Sequence, residues 1–214
     1  RSSFYYRLFW PSPAPDWSGI AKGCSHPHVN PNRDFMHTMK RQAEQLSMAG
    51  IAEIPAPDPS WAEADISRFP LSGRFALLAP GGALHRPGKR WPAGNCGQLA
   101  KMLMDQGLVS VLVGSAAEAP IMAEIKAQCE AALDLSGQTG LLDLAALARG
   151  AVAAVGNDTG PMHLFSAVGC RTVVLFSHDS DPALCSQRGA AVTIIRRQPL
   201  DDLSVAEVMD GMGL

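Results

Sequence analysis

No apolar run in this sequence approaches the roughly 20 residues that a membrane-spanning helix needs, and no signal peptide is visible at its start. Charge of one sign is not in excess either. Eighteen Lys and Arg stand against 20 Asp and Glu, a formal net charge of -2 that leaves no basic footprint for nucleic acid. Cysteine is sparse and odd in number: Cys24, Cys96, Cys129, Cys170 and Cys185 lack Cys-x-x-Cys spacing, which fits a reducing compartment and predicts a cytoplasmic protein. The P-loop pattern and the dinucleotide pattern Gly-x-Gly-x-x-Gly are also missing. A nicotinamide oxidoreductase therefore lacks its glycines. What is present, 214 residues of which 47% are hydrophobic and 18% charged, suffices for one full globular domain and part of a second.

Arg1-Ser2-Ser3 carries no initiator Met and leads into the aromatic run Phe4 to Trp10, so the sequence is expected to begin inside a longer protein. Cys24-x-His26-x-His28 offers soft and borderline ligands two apart, either a metal site or a polar loop beside a cleft. Pro27 and the lack of a second ligand cluster favour the loop, and no metal is assigned. His37 lies where it could reach the same region. Phe35, Met36, Met39, Ala43 and Leu46 recur at helical spacing, which predicts an amphipathic helix from Arg33 to Ala49, capped by Asn32, stopped by Gly50 and packed on a core. Pro55, Pro57, Pro59 and Pro70 then resist regular structure. The organisation expected is a partial domain plus linker over 1–70 and a complete domain over 71–214.

Beyond the prolines, strand and helix patterns alternate. Strands are expected at 75–79, 108–113, 133–135, 151–155, 172–176 and 192–195. Helices are expected at 95–106, 119–129, 141–148, after Pro161 and from Ser204. The strands are continuous Val/Leu/Ala runs, so helices must cover both faces, and the fold class is α/β with a doubly wound, Rossmann-like parallel sheet. Ligands of such sheets bind at the carboxyl ends of the strands. Segments 80–89, 114–118, 137–140, 156–160 and 177–182 all fall on that edge.

The most informative stretch is Gly156-Asn157-Asp158-Thr159-Gly160-Pro161-Met162-His163, where a buried strand turns into a helix. Asp158 or Thr159 can cap that helix, Pro161 suits its first turn, and Gly160 removes a side chain that would obstruct the backbone. Unpaired amides there carry about half a positive charge and suit a phosphate. Asp158 would repel such an anion, which leaves it helix capping or hydrogen bonds from sugar hydroxyls. Gly81 and Gly82 permit close backbone approach, and Lys89 with Arg90 supplies cations for a diphosphate, unless Lys89 is only a solvated surface group. Glu118 can accept from a ribose diol or simply open the next helix. His163 can reach a phosphate or pack as an ordinary histidine.

In order and spacing, Ala79-Pro80-Gly81-Gly82, Lys89-Arg90-Trp91-Pro92, Leu112-Val113-Gly114-Ser115 with Glu118, Asp134-Leu135-Ser136-Gly137-Gln138-Thr139 and Gly156 to His163 resemble the family 9 glycosyltransferases, the ADP-heptose:lipopolysaccharide heptosyltransferases. The resemblance runs from about Phe75 to Asp181. Segments 16–21, 26–28 and 41–42 are similar to the end of that family's first domain. It implies a GT-B architecture whose C-terminal domain holds the nucleotide-sugar, preceded here by a partial N-terminal domain. The implied reaction moves heptose from ADP-heptose to a lipid A-linked core oligosaccharide with inversion, without a cofactor and with peripheral contact to the inner face of the inner membrane. Carried over by position, Lys89 holds the diphosphate, Glu118 the ribose, Thr159 and Gly160 a phosphate, and Asp158 the sugar, with His163 assisting. The family's general base, an Asp near the start of the first domain, is expected upstream of Arg1. The alternative is a catalytically incomplete fragment that binds nucleotide-sugar.

Overall fold

A computed structural model describes Leu8, Ser12, Pro13, 15–83 and 85–214, so most of the aromatic run near the start lies outside the described residues. The chain forms two compact units: one runs up to Ala56 and includes Ala183–Cys185, the other comprises Pro57–Pro182 and Ser186–Leu214.

In the first unit, strands β1 (Ser18–Gly19) and β2 (His26–Pro27) pair in parallel, and helix α1 covers Thr38–Met48. Polar contacts hold it together. Gln45 Nε2 donates to Ser18 O at 2.9 Å, Asn30 Nδ2 donates to Glu44 Oε1 at 2.7 Å, and Arg33 Nε donates to His28 Nδ1 at 2.9 Å. The helix expected from Arg33 is broken: a 3-10 turn occupies Arg33–Phe35, and α1 starts anew with His37 at its N-cap, where Nδ1 accepts from Met39 N. Asn32 makes no side-chain cap. The apolar stripe expected in a core is not buried either. Phe35 is 81% exposed, and α1 has no buried residue, because so short a segment has too little apolar surface to enclose one.

The second unit is built on six strands, β3 (Phe75–Ala79), β4 (Val109–Leu112), β5 (Leu133–Asp134), β6 (Ala153–Asn157), β7 (Thr172–Phe176) and β8 (Val192–Arg196). Every pairing is parallel, and the order across the sheet is β5-β4-β3-β6-β7-β8. β3, β6 and β7 are buried along their whole length, as their apolar composition requires. Its helices are α2 (Ala93–Asp105), α3 (Ala119–Gln128), α4 (Leu141–Gly150), α5 (Gly160–Ala167) and, beyond the single turn α6 (Pro182–Cys185) whose Ala183–Cys185 belong to the first unit, α7 (Val205–Met212).

Strand alternation divides the core between two faces. Ala76, Leu78, Ala153, Val155, Val173 and Leu175 join one cluster with Leu99 and Leu103 of α2, Met122 and Ile125 of α3, and Val208 and Met212 of α7. Phe75, Leu77 and Gly156 point the other way. On that face a Cβ on Gly150 of α4 would touch the Phe75 ring, and one on Gly156 would lie 2.8 Å from Met162 Sδ of α5. The same Cβ would lie 2.8 Å from Ala79 O of β3, so Gly156 is required by the neighbouring strand's backbone as well as by the approach of α5. The Pro-rich stretch 57–70 packs with this unit, since Arg149 of α4 donates to Ala62 O and to Pro59 O.

The chain enters the sheet at β3, builds outward to β5, then returns to β3's other side with β6. That reversal opens a crevice between the loops that follow β3 and β6, the position at which such sheets bind ligands.

Candidate functional site

A cleft of about 670 Å³ occupies the crevice. Its lining includes Gly81, Gly82, Lys89, Glu118, Asp158, Thr159 and Gly160. Seven of the eight substrate-binding residues expected from sequence therefore come together. The eighth, His163, is exposed on α5 and is not among the lining residues.

The wall beyond β6 is built by the backbone. Asp158 N donates to Leu175 O at 3.1 Å, continuing the β6–β7 ladder, and α5 begins two residues later with Pro161 in its first turn. Thr159 stands at the N-cap, but its hydroxyl donates back to Asn157 O at 3.1 Å and makes no cap bond, nor does Asp158 take that task. An α-helix cannot pair the amides at its own start, and neither side chain does so here. A Cβ on Gly160 would meet nothing within 4 Å, so the start of the helix opens directly on the cleft.

Lys89 and Asp158 were read separately in the sequence, one for an anion and one for hydroxyls. They form an ion pair of 2.9 Å, with side chains only 14% and 10% exposed. Asp158 Oδ2 also accepts from Ser180 Oγ at 2.8 Å, and Oδ1 from Gln187 Nε2 at 3.2 Å. Burial alone would raise the Asp158 pKa, but the bonds from Lys89, Ser180 and Gln187 outweigh it, and the carboxyl ends below its ordinary value. Ser180 comes from the segment after β7, so the fifth edge loop reaches the site through Asp158.

Glu118 also has its donors already. Oε1 accepts from Gly82 N at 2.8 Å, and Oε2 accepts from Ser115 N at 2.7 Å and Ser115 Oγ at 2.9 Å. It closes the 3-10 turn Ala116–Glu118, stands at the N-cap of α3 and ties the loop after β4 to the loop after β3. Gly81 is a consequence of this: a Cβ there would stand 1.6 Å from Glu118 Oε1.

Sequence reasoning gave no task to Asn157, which is 1% exposed at the end of β6. Its Nδ2 donates to Pro80 O at 2.8 Å and Gly81 O at 3.0 Å, while its Oδ1 accepts from Trp91 N at 3.0 Å. Both ends of the loop that carries Lys89 are thereby fixed to one side chain. Trp91 is 2% exposed and anchors that loop further through Nε1 to Leu203 O at 2.9 Å. A polar residue ending an otherwise apolar buried strand was the available signal. Among the described residues, no group of three His, Cys, Asp or Glu is placed to hold a metal ion, and the Cys24–His28 segment is engaged in the first unit, with Cys24 Sγ on Gly19 O and His28 between Arg33 and Glu44.

The family model described as glycosyltransferase family 9 (heptosyltransferase) matches residues 20–206. Curated relatives include lipooligosaccharide heptosyltransferase 2 of Haemophilus influenzae, 35% identical over 120 residues, and lipopolysaccharide heptosyltransferase 2 of Escherichia coli K12, 36% identical over 124 residues. Those alignments take in 54% and 53% of this chain and 34% of each relative, so the matched part spans about a third of their length. Among solved structures, E. coli ADP-heptose lps heptosyltransferase II superimposes with a TM-score of 0.74 at 25% identity, covering 89% of this chain and 65% of that one. The structure of E. coli heptosyltransferase WaaC with ADP shares the fold at a TM-score of 0.69 and 22% identity, over 83% of this chain and 56% of that one. With a family match over residues 20–206, most of its length, the chain belongs to glycosyltransferase family 9.

Proposed function

We propose that the protein transfers heptose from ADP-heptose to the lipopolysaccharide inner core with inversion, and that the six-stranded unit holds the donor. The convergence of Gly81 and Gly82, Lys89 and the open start of α5 on one cleft at the sheet's reversal point carries this reading. The heptosyltransferase relatives support it. In this arrangement the pyrophosphate lies against the amides of Thr159 and Gly160 and the glycine loop. Lys89 exchanges Asp158 for the anion, and the released Asp158 carboxylate accepts from sugar hydroxyls. Glu118 takes the ribose diol, and His163, one turn along α5, donates near the diphosphate. The helix dipole and Lys89 stabilise the charge that grows on the leaving ADP.

The acceptor is a lipid A-linked core oligosaccharide, which places a cytoplasmic protein in peripheral contact with the inner face of the inner membrane. Among the described residues, no helix is long and apolar enough to cross a membrane. Isothermal titration with ADP-heptose tests the site. Lys89→Ala should weaken binding roughly ten- to hundredfold, the value of a lost charge-assisted contact of ~1.5–3 kcal/mol. Unchanged affinity would remove Lys89 from the site.

One observation favours a second reading, nucleotide-sugar binding without transfer. Both carboxylates of the cleft are committed to three donors each, and the lowered pKa of Asp158 makes it a weak base for an acceptor hydroxyl. Turnover with an acceptor supports the transferase; tight donor binding without turnover supports the second reading.

A further inference from the structure

Three successive carbonyl oxygens of the loop after β3 are all taken by side-chain donors. Asn157 Nδ2 donates to Pro80 O at 2.8 Å and to Gly81 O at 3.0 Å, and Arg90 Nη2 donates to Gly82 O at 2.8 Å. The orientation of the Asn157 amide is forced, because the Trp91 N–H that it meets can only donate and the two carbonyls can only accept. Left free beside the cleft, those oxygens would set partial negative charge against any bound anion. In a trans peptide the following N–H points opposite to the carbonyl, so holding Gly82 O on Arg90 directs the Ala83 N–H away from that guanidinium. Ala83 lines the cleft, whereas Asn157 and Arg90 are not among its lining residues.

We infer that Asn157, assisted by Arg90, is a positioning residue for the diphosphate of the nucleotide ligand: it turns the carbonyls of the Pro80–Gly82 segment away, so that the loop sets no carbonyl against the anion and, with the Gly82 N–H held by Glu118, meets it through the Ala83 N–H. This rests on the functional reading that the cleft takes the ADP part of a sugar donor. Asn157 acts from beneath the site and touches no ligand. Its effect falls on the phosphates alone, not on the nucleoside.

That separation supplies the test, in which ADP and adenosine are titrated separately into the full 214-residue chain. Asn157→Asp keeps an acceptor for the Trp91 N–H, loses both donated bonds and faces the two carbonyls with a negative charge. Its expected result is a fall of about tenfold in the affinity ratio of ADP to adenosine, with adenosine binding kept within about threefold. Arg90→Lys keeps the positive charge without the planar fork, and should lower the ratio about threefold. If circular dichroism shows Asn157→Asp unfolded, Arg90→Lys decides. A folded variant whose ratio stays at the wild-type value overturns the inference, and so does a parallel loss of ADP and adenosine, which marks general loosening. A wild-type chain that binds adenosine but gains nothing from the diphosphate overturns the functional reading and this inference with it.

Discussion

The two loops that face each other across the cleft are made in opposite ways. The turn after β6 is a two-residue connection fixed by its own backbone: Asp158 N extends the sheet, and Gly160 starts α5 with Pro161 in its first turn. The loop after β3 runs ten residues or so to Trp91 and is held by two side chains from elsewhere, Asn157 of β6 and Glu118 before α3, and by its own Arg90. The short turn supplies a fixed set of amides that needs no support. The long loop brings a mobile kind of group, the Lys89 ammonium, and keeps it in place by borrowing rigidity from the sheet. A change in the first should act on the ligand directly, whereas a change in the second should act through the support.

Gly81→Ala should have the largest effect, because it breaks the support. The new methyl would displace the Glu118 carboxylate, which now accepts from Gly82 N, Ser115 N and Ser115 Oγ. Loss of such charge-assisted bonds costs about 2 kcal/mol, a fall in Tm of about 4–8 °C for a chain of this size. ADP affinity should fall with it by about tenfold. Calorimetry and titration on the same sample check both. Unchanged Tm would show that the clamp contributes nothing to the loop.

The same contrast explains what was legible in the sequence. The turn after β6 was readable because its determinants are local: Gly160, Pro161 and an apolar run sit next to one another. The strand expected at 151–155 was misplaced by two residues at both ends, as β6 covers Ala153–Asn157 and so carries its polar Asn157 inside the sheet, and the expected side-chain cap is not made. The doubly wound parallel sheet followed from the alternation of strands and helices, whereas the strand order across it did not. The support of the β3 loop was not readable, because Asn157 lies 77 residues from Pro80 and Lys89 lies 69 from Asp158, and nothing local marks either pairing. For the same reason Lys89 and Asp158 were assigned separate ligands, although they are each other's partners here. The stripe on α1 was legible as amphipathic, but periodicity reports that a face is apolar and not that something covers it.

Asp158 belongs to both loops, and its removal should have an intermediate effect. Asp158→Asn leaves Lys89 without its counter-charge and should destabilise the fold by about 1.5 kcal/mol at neutral pH. The sign of the pH dependence follows from the lowered pKa of Asp158. Its stabilising contribution is fully present above the ordinary carboxylate value of 3.8 and is lost as pH falls through the lower folded value. Urea midpoints of wild type and Asp158→Asn should therefore run parallel from pH 7 to about pH 4 and converge below it. Other carboxylates with lowered pKa values, such as Asp143 beside Arg68, are common to both proteins and cancel in the difference. A gap that closes above pH 5 would mean that the Lys89–Asp158 pair does not hold the carboxyl down in solution.

The smallest effect on the fold should come from Gly160→Ala, and it addresses the turn after β6 alone. The added methyl meets no atom within 4 Å, and the position does not need a left-handed backbone, so stability should stay within about 0.5 kcal/mol of wild type. Yet the methyl would enter the cleft beside the first amides of α5 and hold an anion off them. A displacement of that kind costs ~1 kcal/mol, about fivefold in ADP affinity, while adenosine binding is unaffected. Gly81→Ala and Gly160→Ala thus differ by one carbon each, on opposite walls of one cleft, and should separate cleanly: the first lowers Tm and affinity together, the second affinity alone. If Gly160→Ala binds ADP as the wild type does, the phosphate lies against the β3 loop and Lys89 only, and the start of α5 is a structural turn rather than half of the site.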